Sequence, residues 1–505
     1  MKLLTFQQLR DADRYTLEKQ RIRSIELMER AAKACTDWLL KFPVLNRKKK
    51  VTVFCGLGNN GGDGLAIARL LSEKKIQVEV CIIRHSDKAS EDFHLNLERI
   101  EKNVSIKISS IYSDTDFQTI CLKDALVVDA LFGSGLNRPL EGLPAGAIEY
   151  INSSAEQVVS VDIPSGLLVV PGSKPGPHCI RAGHTLTFTT PKLVFMFPDY
   201  YSYLGEFTVL DIGLDEEFLK EQESINYFVT SADVKELIKP RKKFSHKGSY
   251  GHALLIAGSY GKIGAALLAS GACLKSGSGL LTVHLPKCGF EIIQTVWPEA
   301  MVSIDSGTES VSSLPDLDRY NSIGTGPGLG LEKQTQGAVK LLIQNSKCPL
   351  VLDADALNIL SENKTWLSFL PGGSILTPHP KEFERLTEKA STDYQRYGQI
   401  RDFAFKYNIY LVLKGAHTAI ACPDGRVYFN STGNPGMAKG GSGDVLTGLL
   451  TGLLAQGYSS LEACIIGVYW HGWAGDCASE KMTGQVMGPM DILDNLGNAF
   501  KTFLD

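Results

Sequence analysis

The sequence predicts two different α/β domains in tandem, each built on buried parallel strands. Three observations lead there. Short apolar runs followed by glycine-rich turns and helical stretches recur along the chain, the pattern of strands covered on both faces by crossover helices. At 505 residues the chain is longer than one hydrophobic core serves. Between Leu214 and Lys243 the texture changes to charged, weakly periodic sequence, from Asp215-Glu216-Glu217 to Pro240-Arg241-Lys242-Lys243. The junction is placed there, with domains over 1–218 and 224–505.

In the first half the strand candidates are Val51–Cys55, Gln77–Ile83, Ala125–Asp129 and Gln157–Asp162. Three of them end in turn or polar residues, at the sheet edge where open α/β sheets bind ligands. The second half restarts the pattern with His252–Ala257, Gly279–Leu285, Ser322–Gly324, Pro349–Asp353, Ser374–Leu376 and Tyr410–Leu413. Gly264–Gly277 is small and apolar enough to pack closely as a helix. No fixed period links the halves, which argues against a duplication.

A net charge of −3 gives no reason to expect nucleic acid or an anionic membrane as partner. The basic runs Arg47–Lys50 and Lys239–Lys243 are short and read as solvated loops. The 11 cysteines show no CxxC pair and no metal-like spacing with histidine. Cys55, Cys81 and Cys121 lie in apolar, strand-like runs, where a free thiol behaves as a small buried hydrophobe. That usage suits a reducing compartment, and a cytoplasmic location is expected. The N-terminus turns polar too soon for a signal peptide. Val445–Gly457 comes nearest to a membrane span, but Gly and Thr interrupt it.

The first chemical constellation is Gly56-Leu57-Gly58-Asn59-Asn60-Gly61-Gly62-Asp63-Gly64, between a strand and a helix. It contains G-x-G-x-x-G, whose glycines admit close ligand approach and whose helix start favours phosphate. A dehydrogenase would close the next strand with Asp or Glu for the ribose hydroxyls; here that strand ends in Ile83-Arg84-His85, so a dehydrogenase is disfavoured. Two further carboxylates stand at strand ends: Asp129 before Phe132-Gly133-Ser134-Gly135-Leu136, and Asp162 in Asp162-Ile163-Pro164-Ser165-Gly166. Helix capping alone would account for any one of them. Three oxygen-rich turns on one sheet edge point instead to a hard cation and a polar ligand.

In order and spacing these three motifs resemble the NAD(P)H-hydrate epimerase family over about the first 215 residues. The resemblance implies a Rossmann-like three-layer α/β domain that interconverts the R and S forms of hydrated NADH and NADPH. It implies a potassium ion held by Asn60, Asp129 and Ser165. It further implies substrate contacts from Asn59, Asn60, Gly61, Gly62 and Asp63, from Gly133, Ser134, Gly135, Leu136, Asn137, Arg138 and Pro139, and from Asp162. Asn137 stands where family members often carry serine. The hydrate bears a hydroxyl at C6 of the reduced nicotinamide ring, and inverting that centre needs only acid–base assistance, for which Asp162 is the candidate.

The second constellation runs Gly433-Asn434-Pro435-Gly436-Met437-Ala438-Lys439-Gly440-Gly441-Ser442-Gly443-Asp444 into a helical stretch. Helix-start N–H groups there would form an anion hole, with Asp444 placed to take a proton from a hydroxyl attacking phosphate. The alternative is a glycine turn capped by Asp. Strand-end companions are Gly324-Thr325-Gly326-Pro327-Gly328-Leu329-Gly330, Thr377-Pro378-His379-Pro380-Lys381-Glu382 and Lys414-Gly415-Ala416-His417-Thr418. Together with His246-Lys247-Gly248 and Gly258–Ala265, they resemble the ADP- or ATP-dependent NAD(P)H-hydrate dehydratases over roughly residues 226–505. That resemblance implies a ribokinase-like α/β domain. It implies nucleotide contacts from Lys414, Gly415, Ala416, His417, Thr418 and Gly443, and hydrate contacts from Ala265, Gly330, His379 and Asp444. Lys439 and Lys381 stand where relatives carry small residues. His471, in Tyr469-Trp470-His471-Gly472-Trp473, reads as core packing.

The expected activity is dehydration of the S hydrate at the expense of ADP, with magnesium arriving on the nucleotide, Asp444 as base and AMP and phosphate as products. Self-association into a homo-oligomer is also expected. Two rivals remain: a small-molecule kinase fused to a nucleotide-binding domain, and a chain in which one half is a non-catalytic scaffold. Neither accounts for both sets of motifs.

Overall fold

The computed structural model describes residues 1–45, 47–48, 50–169, 172 and 176–504; Lys49, in the first basic run, lies outside them. The chain divides into two compact units, Lys2–Ser224 and Ile225–Asp505, the latter including Met1. The first unit therefore runs past the expected end at 218. A cut there would divide the helix Glu216–Glu221, whose Phe218 ring stacks on Tyr15 at 4.7 Å.

In the first unit β1 (Lys50–Cys55), β2 (Val78–Ile83), β3 (Lys107–Ile111), β4 (Ala125–Ala130), β5 (Val158–Val161), β6 (His184–Phe188) and β7 (Glu206–Leu210) form one parallel sheet. Their order is β3-β2-β1-β4-β5-β6-β7. Side chains alternate along each strand into two cores. Val51, Val53 and Cys55 face one that contains Leu65 and Leu71 of a covering helix, while Phe54 faces another with Ile148 and Ile151. Three layers result. The order reverses between β1 and β4, the point at which doubly wound sheets open a crevice beyond their carboxyl ends.

The second unit carries β8 (Asn226–Phe228), β9 (His252–Ile256), β10 (Leu280–Leu285), β11 (Met301–Ile304), β12 (Ser322–Thr325), β13 (Leu350–Leu352), β14 (Ile375–Leu376), β15 (Tyr410–Leu413), β16 (Ala419–Ala421) and β17 (Val427–Phe429). Their order is β11-β10-β9-β12-β13-β14-β15-β16-β17-β8. All neighbours are parallel except β15–β16 and β16–β17, which are antiparallel. Register aligns Ile256 with Thr325, Thr325 with Leu352 and Leu352 with Leu376, so the glycine turns of the motifs share one edge.

Cys121 departs from expectation. Cys55 and Cys81 are buried in strands, but Cys121 is exposed, because the chain coils through a 3-10 helix (Asp114–Thr119) before β4 and sends Phe117, Ile120 and Leu122 inward instead. All 11 cysteines are free. The basic run Lys239–Lys243 is exposed. Among the described residues no helix is long and apolar enough to cross a membrane.

Candidate functional site

On the carboxyl edge of the first sheet, Asn59 opens the helix Asn59–Glu73, so Asn59, Asn60, Gly61, Gly62 and Asp63 form its first turns beside the β1–β4 reversal. Glycine at 61 is required by close packing: a Cβ there would stand 1.9 Å from the Gly56 carbonyl oxygen. Gly133–Pro139 follow β4. In that loop the Ser134 N–H donates to Asp162 Oδ2 at 2.8 Å, while Asn137, Arg138 and Pro139 are exposed. A Cβ at Gly133 would lie 3.0 Å from Asp162 Oδ2 and 3.5 Å from Asn60 Oδ1, so Asn60, Gly133 and Asp162 meet at one point.

Asp162 sits at φ +67, a left-handed conformation that costs a non-glycine residue energy and concentrates at functional turns. Its Oδ1 accepts from Lys192 Nζ at 2.7 Å, and the same ammonium donates to Thr187 Oγ1 at 2.6 Å. Burial opposes ionisation of Asp162, yet the Lys192 charge and the hydrogen bonds from Lys192 and Ser134 hold its carboxyl below the ordinary carboxylate value. Asp63 goes the other way. Burial first, then the negative charges of Asp162, Asp13 and Asp92, push it well above that value. Asp13, on the helix Phe6–Gln20, is raised to about 6 by burial and by Asp162. The edge thus holds one ionised carboxylate beside carboxyls that favour their protons.

Asp129 is fully buried. Its oxygens accept from Ser165 Oγ at 2.6 Å, Ser160 Oγ at 2.7 Å, Ser165 N–H at 2.9 Å and Leu131 N–H at 3.2 Å. The Phe132 carbonyl oxygen lies 3.1 Å from Ser165 Oγ. The Asn60 amide nitrogen is buried and finds no partner among the described residues. Carboxyl, hydroxyl, carbonyl and amide oxygens without sulfur or imidazole suit a hard cation such as potassium. Burial raises the Asp129 carboxyl above its ordinary value, against the hydrogen bonds from Ser165, Ser160 and Leu131, and a cation there would offset that burial. The residues present fit the ion.

In the second unit the helix Ser442–Ala455 starts from Gly441 at φ +103, without a side-chain cap. A Cβ there would come within 2.8 Å of Leu268 and Pro489. The N–H groups of Gly443 and Asp444 find no acceptor among the described residues. Asp444 lies inside the first turn, not at the cap position. Burial, then the nearby Asp353 charge, raise its carboxyl to about 7, against the opposing pull of Lys414. Under it, Asp353 Oδ1 accepts from Lys414 Nζ at 2.7 Å and Oδ2 from Thr447 Oγ1 at 3.0 Å.

The turn Gly415–Thr418 links β15 to β16 and is pinned by a bond from Thr418 Oγ1 to the Gly415 carbonyl at 3.0 Å. Lys414, just before this turn, has its ammonium held by Asp353. Gly330, at φ +87, gives its N–H to Asp355 Oδ2 at 2.9 Å; Ala265 lies against the same glycine turn, 3.0 Å from a Cβ at Gly328. His379 caps the helix Pro380–Leu386: its Nδ1 accepts from the Glu382 N–H at 3.3 Å, and the Glu382 carboxylate returns a bond to the His379 N–H at 2.8 Å. Lys439 is tethered by Nζ to the Gln485 carbonyl at 3.0 Å, and Lys381 is exposed.

Sequence reasoning passed over Lys192, Asp13 and Asp353. Asp353 carried the same signal as Asp129 and Asp162, an Asp closing an apolar strand. Lys192, in Thr190-Pro191-Lys192, carried none. His471 was assigned to packing alone, yet it reaches the Ser442 backbone, burial holds its ring down to about 4, and its Nε2 has no partner among the described residues.

Residues 24–194 match the family described as YjeF-related protein N-terminus, and residues 253–498 match the family described as NAD(P)H-hydrate dehydratase. The bifunctional NAD(P)H-hydrate repair enzyme Nnr of Moorella thermoacetica is 38% identical over 510 residues, spanning 98% of this chain and 96% of its own. The enzyme of the same name from Thermofilum pendens is 36% identical over 514 residues, spanning 99% and 96%. Among solved structures, a ribokinase-like superfamily protein from Enterococcus faecalis is 28% identical with a TM-score of 0.50, over 56% of this chain and 98% of its own. Two domain matches and full-length likeness agree: the chain belongs to the family of bifunctional NAD(P)H-hydrate repair enzymes.

Proposed function

We propose that the two units act in sequence on hydrated NADH and NADPH, the first interconverting the R and S epimers and the second dehydrating the S epimer at the expense of ADP. The observation that carries this reading is the opposite treatment of Asp162 and Asp444. One is held ionised beside Lys192, and the other is raised to about 7 at a glycine-rich helix start.

In the first unit the Asp162 carboxylate takes the proton of the C6 hydroxyl. The C6–N1 bond opens as C6=O forms, and N1 receives a proton from Asp63. Rotation and reversal of the same transfers close the ring on its other face. This route is redox-neutral, keeps the oxygen on C6 and needs only an ionised and a protonated carboxyl, the two states the site favours. Asn60, Asp129 and Ser165 would hold potassium, which supplies fixed positive charge that orders the Phe132–Pro139 loop. Asn59–Asp63 and Gly133–Pro139 would grip the substrate.

In the second unit Asp444 accepts the proton of the C6 hydroxyl as that oxygen attacks the terminal phosphorus of ADP. The free N–H groups of Gly443 and Asp444 steady the transferring group. Phosphate leaves C6 more readily than hydroxide does, so loss of phosphate and of the C5 proton restores the dihydronicotinamide, with AMP as the other product. Magnesium travels with the nucleotide. Lys414–Thr418 and Gly443 would bind ADP, and Ala265, Gly330 and His379 the hydrate.

The test is recovery of dihydronicotinamide absorbance from a mixture of both epimers with ADP or with ATP. Full recovery with ADP, against half recovery when the first unit is inactivated, is expected. Phosphorylation of simple alcohols with no recovery would establish the kinase alternative in its place.

A further inference from the structure

Asp353 is 1% exposed, lies at the end of β13 and belongs to no motif that pointed to function. It is followed by Ala354 at φ +48, a strained left-handed residue. The turn sends neighbouring carboxylates apart. Asp355 Oδ2 goes to the glycine turn, accepting from Gly330 N–H at 2.9 Å and standing 3.4 Å from Lys262 Nζ. Asp353 goes inward, to Lys414 and Thr447. A Cβ built on Gly443 would lie 3.2 Å from both Asp353 Oδ2 and Lys414 Nζ, so the ion pair rests against the backbone just before Asp444.

We infer that Asp353 is a positioning residue of the dehydration reaction: it anchors Lys414 under the first turn of the Ser442–Ala455 helix and keeps a fixed negative charge behind Asp444. Arranged so, the helix start offers an ammonium to the ADP phosphates and a proton-accepting carboxylate to the attacking hydroxyl. Asp353 does not touch substrate, because it is enclosed and both its oxygens are engaged. Breaking such a pair strands a buried charge, whereas removing both members is tolerated.

The other ionisable groups around Asp444 do not substitute for it. Asp355 is turned to Gly330 and Lys262. Glu382, 3.9 Å from Lys414 Nζ, is tied up in capping with His379. His471, on the helix Ser460–Met482, is held neutral by burial. The Asp353 charge is the strongest influence after burial keeping Asp444 protonatable near neutral pH.

The inference rests on Asp444 as base and is tested in the full chain, whose epimerase activity reports that the preparation is sound. Asp353→Asn is expected to raise KM for ADP on the order of 10–10²-fold through misplacement of Lys414. It is also expected to move the acidic limb of kcat/KM down by about one pH unit, since Asp444 then ionises against less negative charge. An unmoved limb with KM for ADP within about twofold of wild type would overturn the inference, whatever happens to kcat. Should Asp353→Asn fail to fold, Lys414→Met is compared with the double variant. Equal KM for ADP supports action through Lys414; additive losses overturn it. Asp444→Asn is assayed in parallel, and wild-type dehydration by that variant would refute the base itself without touching the KM comparison.

Discussion

Both units place an Asp just past a strand end at a left-handed turn, Asp162 itself at φ +67 and Asp353 before Ala354 at φ +48, and pair it with a lysine at 2.7 Å, yet they use the pair differently. In the first unit the paired carboxylate, Asp162, faces Ser134 and Gly133 of the loop after β4 and is itself the proposed base. In the second the paired carboxylate, Asp353, stays enclosed, and the proposed base is the unpaired Asp444. Burial costs each an ionised state, and what differs is whether a cation stands close enough to repay that cost. One unit holds its proposed base below the ordinary carboxylate value. The other raises its proposed base to about 7.

Asp444→Asn is expected to cause the largest effect, lowering nucleotide-dependent dehydration by roughly 10²–10⁴-fold while epimerisation continues at the wild-type rate. Because the Asp444 carboxyl is raised on folding, its protonated form is the one folding favours, and that stabilisation is lost as pH rises through about 7. The variant should therefore melt no lower than wild type at pH 8. Retention of dehydration within about tenfold would break the contrast between the units.

Lys192→Met should reverse the sign at Asp162, stranding a buried carboxylate at a cost of about 3–5 kcal/mol unless it takes up a proton. Epimerisation should fall about 10²-fold, and adding Asp162→Asn should recover melting temperature but not rate. An unchanged epimerisation rate would show that the ion pair is only structural.

The pH profiles sharpen the comparison directly. Dehydration by the wild-type chain should decline tenfold per unit below about pH 7, as Asp444 is protonated. Epimerisation should hold through that range and decline only below the ordinary carboxylate range, because Asp162 is depressed. Coincident acidic limbs, measured as kcat/KM, would contradict separate electrostatic control.

Potassium removal should weaken epimerisation alone, and Asp129→Ala should reduce both the rate and its dependence on the ion. Unaltered epimerisation in buffer free of potassium and sodium would rule out the cation site. The smallest effect is expected from separating the units: a fragment of residues 2–224 should epimerise without nucleotide, and one of residues 225–505 should dehydrate a single epimer. Consumption of both epimers at equal rates by the second fragment would refute the division of labour.

The strands that were legible are the uniformly apolar ones, since burial on both faces leaves a continuous hydrophobic run. β3, Lys-Ile-Ser-Ser-Ile, and β6, His-Thr-Leu-Thr-Phe, mix polar residues and gave no such run, while β16 and β17, short strands, are held by neighbours, not by length. The candidate sites were legible where glycine and Asp cluster in sequence, because a tight turn and a strand-end carboxylate are local requirements. Their lysines were not. Lys192 is 30 residues from Asp162, and Lys414 is 61 from Asp353, separations that only the folded sheet closes.

The position of β8 has a consequence for synthesis on the ribosome. This strand opens the second unit but pairs with β17, Tyr227 opposite Tyr428, about 200 residues later. At translation rates of about 5–20 residues per second, the segment waits on the order of 10–40 s for its partner to exist. The first unit, whose strands lie between residues 50 and 210, can complete its sheet well before that. A nascent chain would thus carry a finished epimerase-like unit ahead of an unfinished second sheet. Its waiting edge is only three half-buried residues long, too short to recruit a foreign strand.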